Sequence, residues 1–211
     1  MKQDEVRWSD TATRILDVAE RLAQVRGFNA FSYADVASEL KITNAALHYH
    51  FASKSDLGEA LVARYTFRFA DVLQAVESQV TDAADRLDAY AELYAGVLRN
   101  ERMCLCGMFA AEYPTLPAPM QVAVVRFFDG NEAWLARVLE LGRDQGTLQF
   151  DGAPREVART IVSTLEGAML VARPYGDVQR FEEVATRLLA TLKPASPARA
   201  RSRNRPNSVP A

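Results

Sequence analysis

Apolar residues recur every three or four positions along almost the whole chain, and glycine or proline falls mostly between the periodic runs. That pattern predicts an all-α protein with no strand. The first helix starts at Ser9 or Asp10, carries Ile15, Leu16, Ala19, Leu22 and Ala23 on one face, and stops at Gly27, a residue suited to a left-handed C-terminal position. Ser32 with Asp35 has the spacing of a capping box and opens a short helix burying Val36, Ala37 and Leu40. Thr43 caps a third helix through Tyr49, and Ser53 with Asp56 repeats the capping pattern at the head of a fourth.

The fourth helix runs from Lys54 toward Val80, and Asp82 restarts the pattern for a fifth marked by Leu87, Tyr90, Leu93, Tyr94 and Val97. A shorter sixth spans 103–113 and is closed by Pro114, and a seventh spans 120–144. Pro154 suits the first turn of an eighth helix that reaches Arg173, and a ninth covers 177–193. About nine helices thus divide into a three-helix unit at 9–53 and a larger helical unit at 54–193. The remaining 194–211 is rich in Pro, Ser and Arg, with Arg199, Arg201, Arg203 and Arg205 and no acid, and is expected to be disordered.

Composition changes this picture little. The chain has 211 residues, 49% of them apolar, and a net charge of -2, so nothing draws it as a whole to nucleic acid or to a lipid surface. The three-helix unit is itself slightly acidic, since residues 1–60 hold seven Lys or Arg against nine Asp or Glu. Any binding of nucleic acid would therefore need a local patch. Cys104 and Cys106 are too few and too close for a disulfide framework. With no signal-peptide core and no long apolar run, the expectation is a soluble cytoplasmic protein with no membrane partner.

The stretch KITNAALHYHFASKSDL, 41–57, carries the most chemistry. His48 and His50 are two apart, about 200° around a helix, so they cannot chelate one metal as an i, i+4 pair does. Two helices joined by a tight turn, the second short and polar outside, are instead the geometry of a helix-turn-helix. The order Ile42, Thr43, Leu47, His50, Phe51, Ser53, Lys54 and Leu57 resembles the TetR family of bacterial transcriptional regulators, and the resemblance extends upstream through ATRILDVAERLAQVRGFNAFSYADVASEL. Two positions depart from that pattern. Lys41 stands where glycine is usual, at a cost of roughly 1 kcal/mol if the turn needs positive φ, and His48 replaces a common tyrosine.

The resemblance implies a repressor that binds a pseudo-palindromic double-stranded operator as a homodimer and leaves it when a small-molecule effector binds. Free N–H groups at the helix opened by Thr43, and the charge of Lys54, suit phosphate. Asn44, Ala45, His48 and Tyr49 occupy the outward turns that reach the major groove, and His50 divides between phosphate contact and packing. Aromatic and Met side chains concentrate on helices four to seven. Phe67, Tyr94, Met103, Met108, Phe109, Tyr113, Phe127 and Trp134, with Glu112, Asn131 and Glu166 as orienting polar groups, are the expected lining of a largely apolar effector pocket. Small residues Gly167, Ala168 and Ala172 on helix eight permit close approach of a second copy.

Cys104 and Cys106 read first as small buried residues and second as thiol sensors of electrophiles or oxidants. Neither a metal nor a cofactor is expected. Two rival classes stand beside the regulator. An all-α enzyme with a cysteine nucleophile lacks a base, because both histidines lie in the N-terminal unit. A ligand-binding protein that no longer reads DNA is the other, suggested by the acidic N-terminal unit and the changes at Lys41 and His48.

Overall fold

A computed structural model describes residues 8–194; the Arg-rich stretch beyond Pro194 lies outside the described residues. Among them are nine α-helices and two short 3-10 turns, and no strand. The first four helices are α1 (Asp10–Arg26), α2 (Tyr33–Leu40), α3 (Asn44–His50) and α4 (Lys54–Gln79). The remaining five are α5 (Ala83–Arg99), α6 (Leu105–Ala111), α7 (Ala118–Gln145), α8 (Pro154–Ala172) and α9 (Val178–Ala190).

The predicted caps set the boundaries of the N-terminal unit. Ser9 and Thr43 each accept the backbone N–H three residues on, and the boxes Ser32–Asp35 and Ser53–Asp56 are both complete. Each such cap contributes about 1 kcal/mol, enough to decide where a short helix begins. Lys41 adopts a left-handed conformation at φ 57°. Replacing Lys41 by Gly is therefore expected to raise stability by about 1 kcal/mol, as read by chemical denaturation. An unchanged midpoint would mean that the lysine side chain offsets the strain.

Longer-range contacts move several other boundaries. Helix α6 covers only Leu105–Ala111 rather than 103–113, because the Met103 N–H bonds to the Gln24 carbonyl of α1 and Tyr113–Thr115 tightens into a 3-10 turn. Helix α7 begins at Ala118, two residues early, with Pro119 in its first turn. Pro174 falls in a 3-10 turn, Arg173–Tyr175, that ends α8.

Helix α7 is the spine of the larger unit and packs on α4, α5 and α8, while α9 lies across α5 and α8. The N-terminal unit is joined to this body through α1, which packs on α4 and α6. Buried Glu20 on α1 pairs with both Arg64 and Arg68 of α4. Its burial makes the pairing obligatory, since a lone buried carboxylate costs several kcal/mol. Among the described residues no helix is long and apolar enough to cross a membrane.

Candidate functional site: a reading helix and an aromatic interior

Helices α2 and α3 meet across the three residues Lys41, Ile42 and Thr43. Leu47, fully buried, anchors α3 to the core, and this turns Asn44, Ala45, His48 and Tyr49 together toward solvent, with Thr43 at their head. Tyr49 is 86% exposed, which is unusual for so large a side chain unless it serves a surface that is later covered. His50 is half-buried and meets Tyr49 edge-on at 5.3 Å. Tyr33 of α2 clamps the far end of α3, donating from its hydroxyl to the Phe51 carbonyl at 2.9 Å.

His48 is held more tightly than a surface residue. Its ring lies 4.7 Å from Tyr33, and Nδ1 is 3.1 Å from the Ala52 carbonyl. A carbonyl can only accept, so Nδ1 carries a proton, and Nε2 accepts a hydrogen bond when the ring is neutral and donates one when it is protonated.

Lys54 departs from the expected phosphate contact. Its ammonium donates to the Phe31 carbonyl and sits over the rings of Phe28 and Phe31, at 4.7 and 4.6 Å. Burial lowers its pKa, partly offset by Glu112 and Asp35. The charge thus stabilises the base of the N-terminal unit from within.

Of the residues expected to line a pocket, Tyr94, Phe127, Asn131, Trp134 and Glu166 come together inside the larger unit. Tyr90 joins them. Its hydroxyl lies 3.0 Å from that of Tyr94 and donates to Asn131 Oδ1 at 3.0 Å, while Asn131 Nδ2 donates to the Phe127 carbonyl. Tyr94 and Cys104 lie beside the Glu166 carboxyl, and burial raises its pKa to about 7 despite these polar neighbours. The carboxyl lies against Gly107, where an added Cβ would fall 2.3 Å from Oε2. Glu166 Oε1 and Trp134 Nε1 are buried without a hydrogen-bond partner among the described residues. A cavity of about 330 Å3 between α4 and α7 is lined by Phe69, Phe127, Asn131 and Trp134, with Glu77, Arg126 and Arg137 as its charged members.

Other expected pocket residues serve elsewhere. Glu112 bonds the backbone N–H of Phe28 at 2.6 Å and of Asn29 at 3.3 Å, so it ties the end of α6 to the loop after α1. Gly27 there has φ 97°, and a Cβ would come within 2.7 Å of the Glu112 carboxyl. Phe109 is buried edge-on against Phe28 at that same junction. Met108 is half-buried with its sulfur 3.3 Å from Arg173, and Tyr113 lies on a surface turn. Met103 is buried beside α1, where its N–H reaches Gln24. Phe67 is outside the interior aromatic cluster, and Phe69 holds the place expected of it, touching Tyr65, Tyr90, Tyr94 and Phe127. The i, i+4 spacing of Tyr65 and Phe69 was the available signal, since Phe67 sits about 200° from Tyr65.

Both cysteines are buried, with no disulfide. Tyr65 Oη lies 3.7 Å from Cys104 Sγ. Burial first, and the Glu166 carboxyl second, push both thiols well above the ordinary range, so both are held protonated.

A three-residue turn, a short exposed second helix and a separate helical body with an aromatic interior define a DNA-binding transcriptional regulator of the helix-turn-helix class. Comparisons with known proteins agree. Residues 15–61 match the model for bacterial regulatory proteins of the tetR family, and residues 83–188 match the Tetracyclin repressor-like C-terminal domain. The chain is 27% identical over 191 residues to the HTH-type transcriptional repressor NemR of Escherichia coli K12, covering 87% of this chain and 92% of that one. It superposes with TM-score 0.84 on a TetR family regulator from Agrobacterium tumefaciens, 34% identical and covering 87% and 97% of the two chains. A TetR regulator from Legionella pneumophila is 36% identical, at TM-score 0.77 with 89% and 100% covered. The chain belongs to the TetR family, whose members bind operator DNA and act as dimers.

Proposed function

We propose that the protein is a transcriptional repressor that grips its operator through the exposed face of α3 and lets go when a small, largely apolar or aromatic molecule enters the interior between α4, α5, α7 and α8. The observation that carries this reading is the stranded Trp134 Nε1 on the wall of the cavity between α4 and α7, with Glu166 Oε1 likewise unpartnered among the described residues. Buried polar atoms without partners are rare and costly, and a ligand that satisfies them recovers that cost. A larger groove of about 360 Å3 between α5 and α9 has no such atoms. The repressor name of NemR supports the direction of control.

Release follows from linkage. An effector that favours a head spacing unable to fit DNA weakens DNA binding by the factor by which DNA weakens effector binding. The tie between Glu112 and the Phe28–Asn29 backbone gives the body a direct hold on the head.

Leu170 is 57% and Val171 63% exposed on α8, and Gly167 has open space around it. These support pairing of two copies through α8 and α9, which sets two reading heads about 34 to 36 Å apart or a multiple of that. Leu170→Asp is expected to give a folded monomer in sedimentation velocity that no longer holds operator DNA in an anisotropy titration. A variant that remains dimeric and binds normally would place the dimer contact elsewhere.

Thiol-triggered release through Cys104 or Cys106 is the second reading, since Cys104 lies inside the same polar cluster as Tyr65 and Glu166. It ranks lower because both thiols are buried and protonated, whereas a fast sensor needs an accessible thiolate. A Cys104→Ser, Cys106→Ser protein that still releases DNA normally would exclude it.

A further inference from the structure

The cavity between α4 and α7 is weighted toward hydrogen-bond donors. Its α7 wall carries Arg126, Phe127, Gly130, Asn131, Trp134 and Arg137, which recur every three or four positions and so share one face of the helix. Opposite them, α4 presents a mostly apolar strip, Phe69, Ala70 and Leu73, flanked in sequence by Thr66 and Glu77. Two guanidinium groups thus meet a single carboxylate, and that carboxylate already lies 3.5 Å from Arg137. Arg126 has no ion-pair partner among the described residues, which leaves the lining with one positive charge in excess.

Trp134 adds a buried donor. It is 4% exposed, it lines the same cavity, and its Nε1 has no hydrogen-bond partner among the described residues. An indole N–H and a guanidinium donate and cannot accept. A ligand that satisfies them therefore brings acceptors, and a carboxylate brings them together with the charge that balances the lining. The rings of Phe69, Phe127 and Trp134 offer the rest of such a molecule an apolar wall. Gly130 leaves the space for it, since a Cβ added there would meet nothing within 4 Å.

We propose that this cavity takes an organic anion, so that the effector is a small carboxylate with an apolar or aromatic body, its charge held by Arg126 and Arg137 at the solvent-facing rim and its body laid along Phe69, Phe127 and Trp134. This rests on the effector reading above and names the chemical class of the effector.

Isothermal titration of the full chain with 4-phenylbutyrate, 4-phenylbutylamine and neutral 4-phenylbutanol tests this. The carboxylate is expected to bind the wild type most tightly. A double variant, Arg126→Gln with Arg137→Gln, changes two exposed side chains and is expected to bind the carboxylate roughly tenfold or more weakly, with the alcohol unchanged. Gly130→Leu is expected to keep or raise the melting temperature, because glycine is a poor helix former, while binding of the carboxylate is lost. If Gly130→Leu binds 4-phenylbutyrate as the wild type does, the ligand sits elsewhere and the proposal is overturned. If the alcohol or the amine binds the wild type as tightly as the carboxylate, or if the double variant binds the carboxylate unchanged, the anion assignment is overturned while the effector site stands. If none of the three binds, and none alters operator affinity, the effector site and the anion assignment both fall.

Discussion

Glu166→Gln is expected to make the protein more stable at pH 8 than the wild type, by up to about 3 kcal/mol, and no more stable at pH 5. The sign follows from linkage. The carboxyl titrates near 4.5 when free and at about 7 in the fold, so the folded state holds its proton through a window in which the unfolded chain has lost it. Stability contributed by the neutral acid is complete below about pH 4.5 and drains away as pH rises toward 7. A tenfold tighter hold on the proton corresponds to about 1.4 kcal/mol, which sets the upper figure. Glutamine keeps the shape and never ionises, so its advantage grows through that window and is full above it. In a chain of this size the gain corresponds to a rise in Tm of roughly 5–10 °C at pH 8. Differential scanning calorimetry at the two pH values checks it. An equal change at both pH values would mean that Glu166 acts through packing rather than charge.

Tyr49→Ala is expected to weaken operator binding by roughly 30–100-fold with no loss of stability. The side chain is 86% exposed, so the fold loses almost nothing when it is cut back. A direct base or backbone contact is worth about 1–1.5 kcal/mol, and a dimer makes it once in each half-site. Thermal melting and an anisotropy titration on the same preparation separate the two effects. Binding that is unchanged would remove Tyr49 from the interface, and binding lost together with the melting transition would make it a structural residue.

The N-terminal unit is readable in the sequence because its signals are local. Ser9, Ser32, Thr43 and Ser53 cap the helices they precede, and the strain at Lys41 is a property of one residue in a turn. The exposed face of α3 follows from the single buried Leu47 and the helical period. Charge near the turn does not follow in the same way. Whether Lys54 points at DNA or into the core depends on Phe28 and Phe31, more than twenty residues earlier, and the rings win because they bury its stem.

The interior is legible only as a concentration of aromatic residues. That Glu112 reaches back across some eighty residues to Phe28, or that Tyr90 links Tyr94 to Asn131, is decided by how α5, α6 and α7 cross. No local pattern encodes those crossings. Phe67 and Phe69 show the limit most simply, since a two-residue offset on one helix decides which ring joins the aromatic cluster. The slight acidity of the N-terminal unit is likewise no obstacle to DNA reading, because the exposed face of α3 carries Asn44, His48 and Tyr49 and no acid.

In the proposed reading His48 meets a base: with Nδ1 directed at the Ala52 carbonyl, a neutral ring offers Nε2 as an acceptor, and the half-site is expected to carry adenine or cytosine opposite it. Selection of DNA from a random-sequence pool by the full-length protein puts operator reading by a paired α3 to the test. The expected product is a two-fold symmetric site whose half-sites are spaced by about one helical turn or a multiple of it, with one position per half-site that loses its preference for an amino-bearing base in His48→Ala. Enrichment of no sequence, or of a motif without two-fold symmetry, would contradict it.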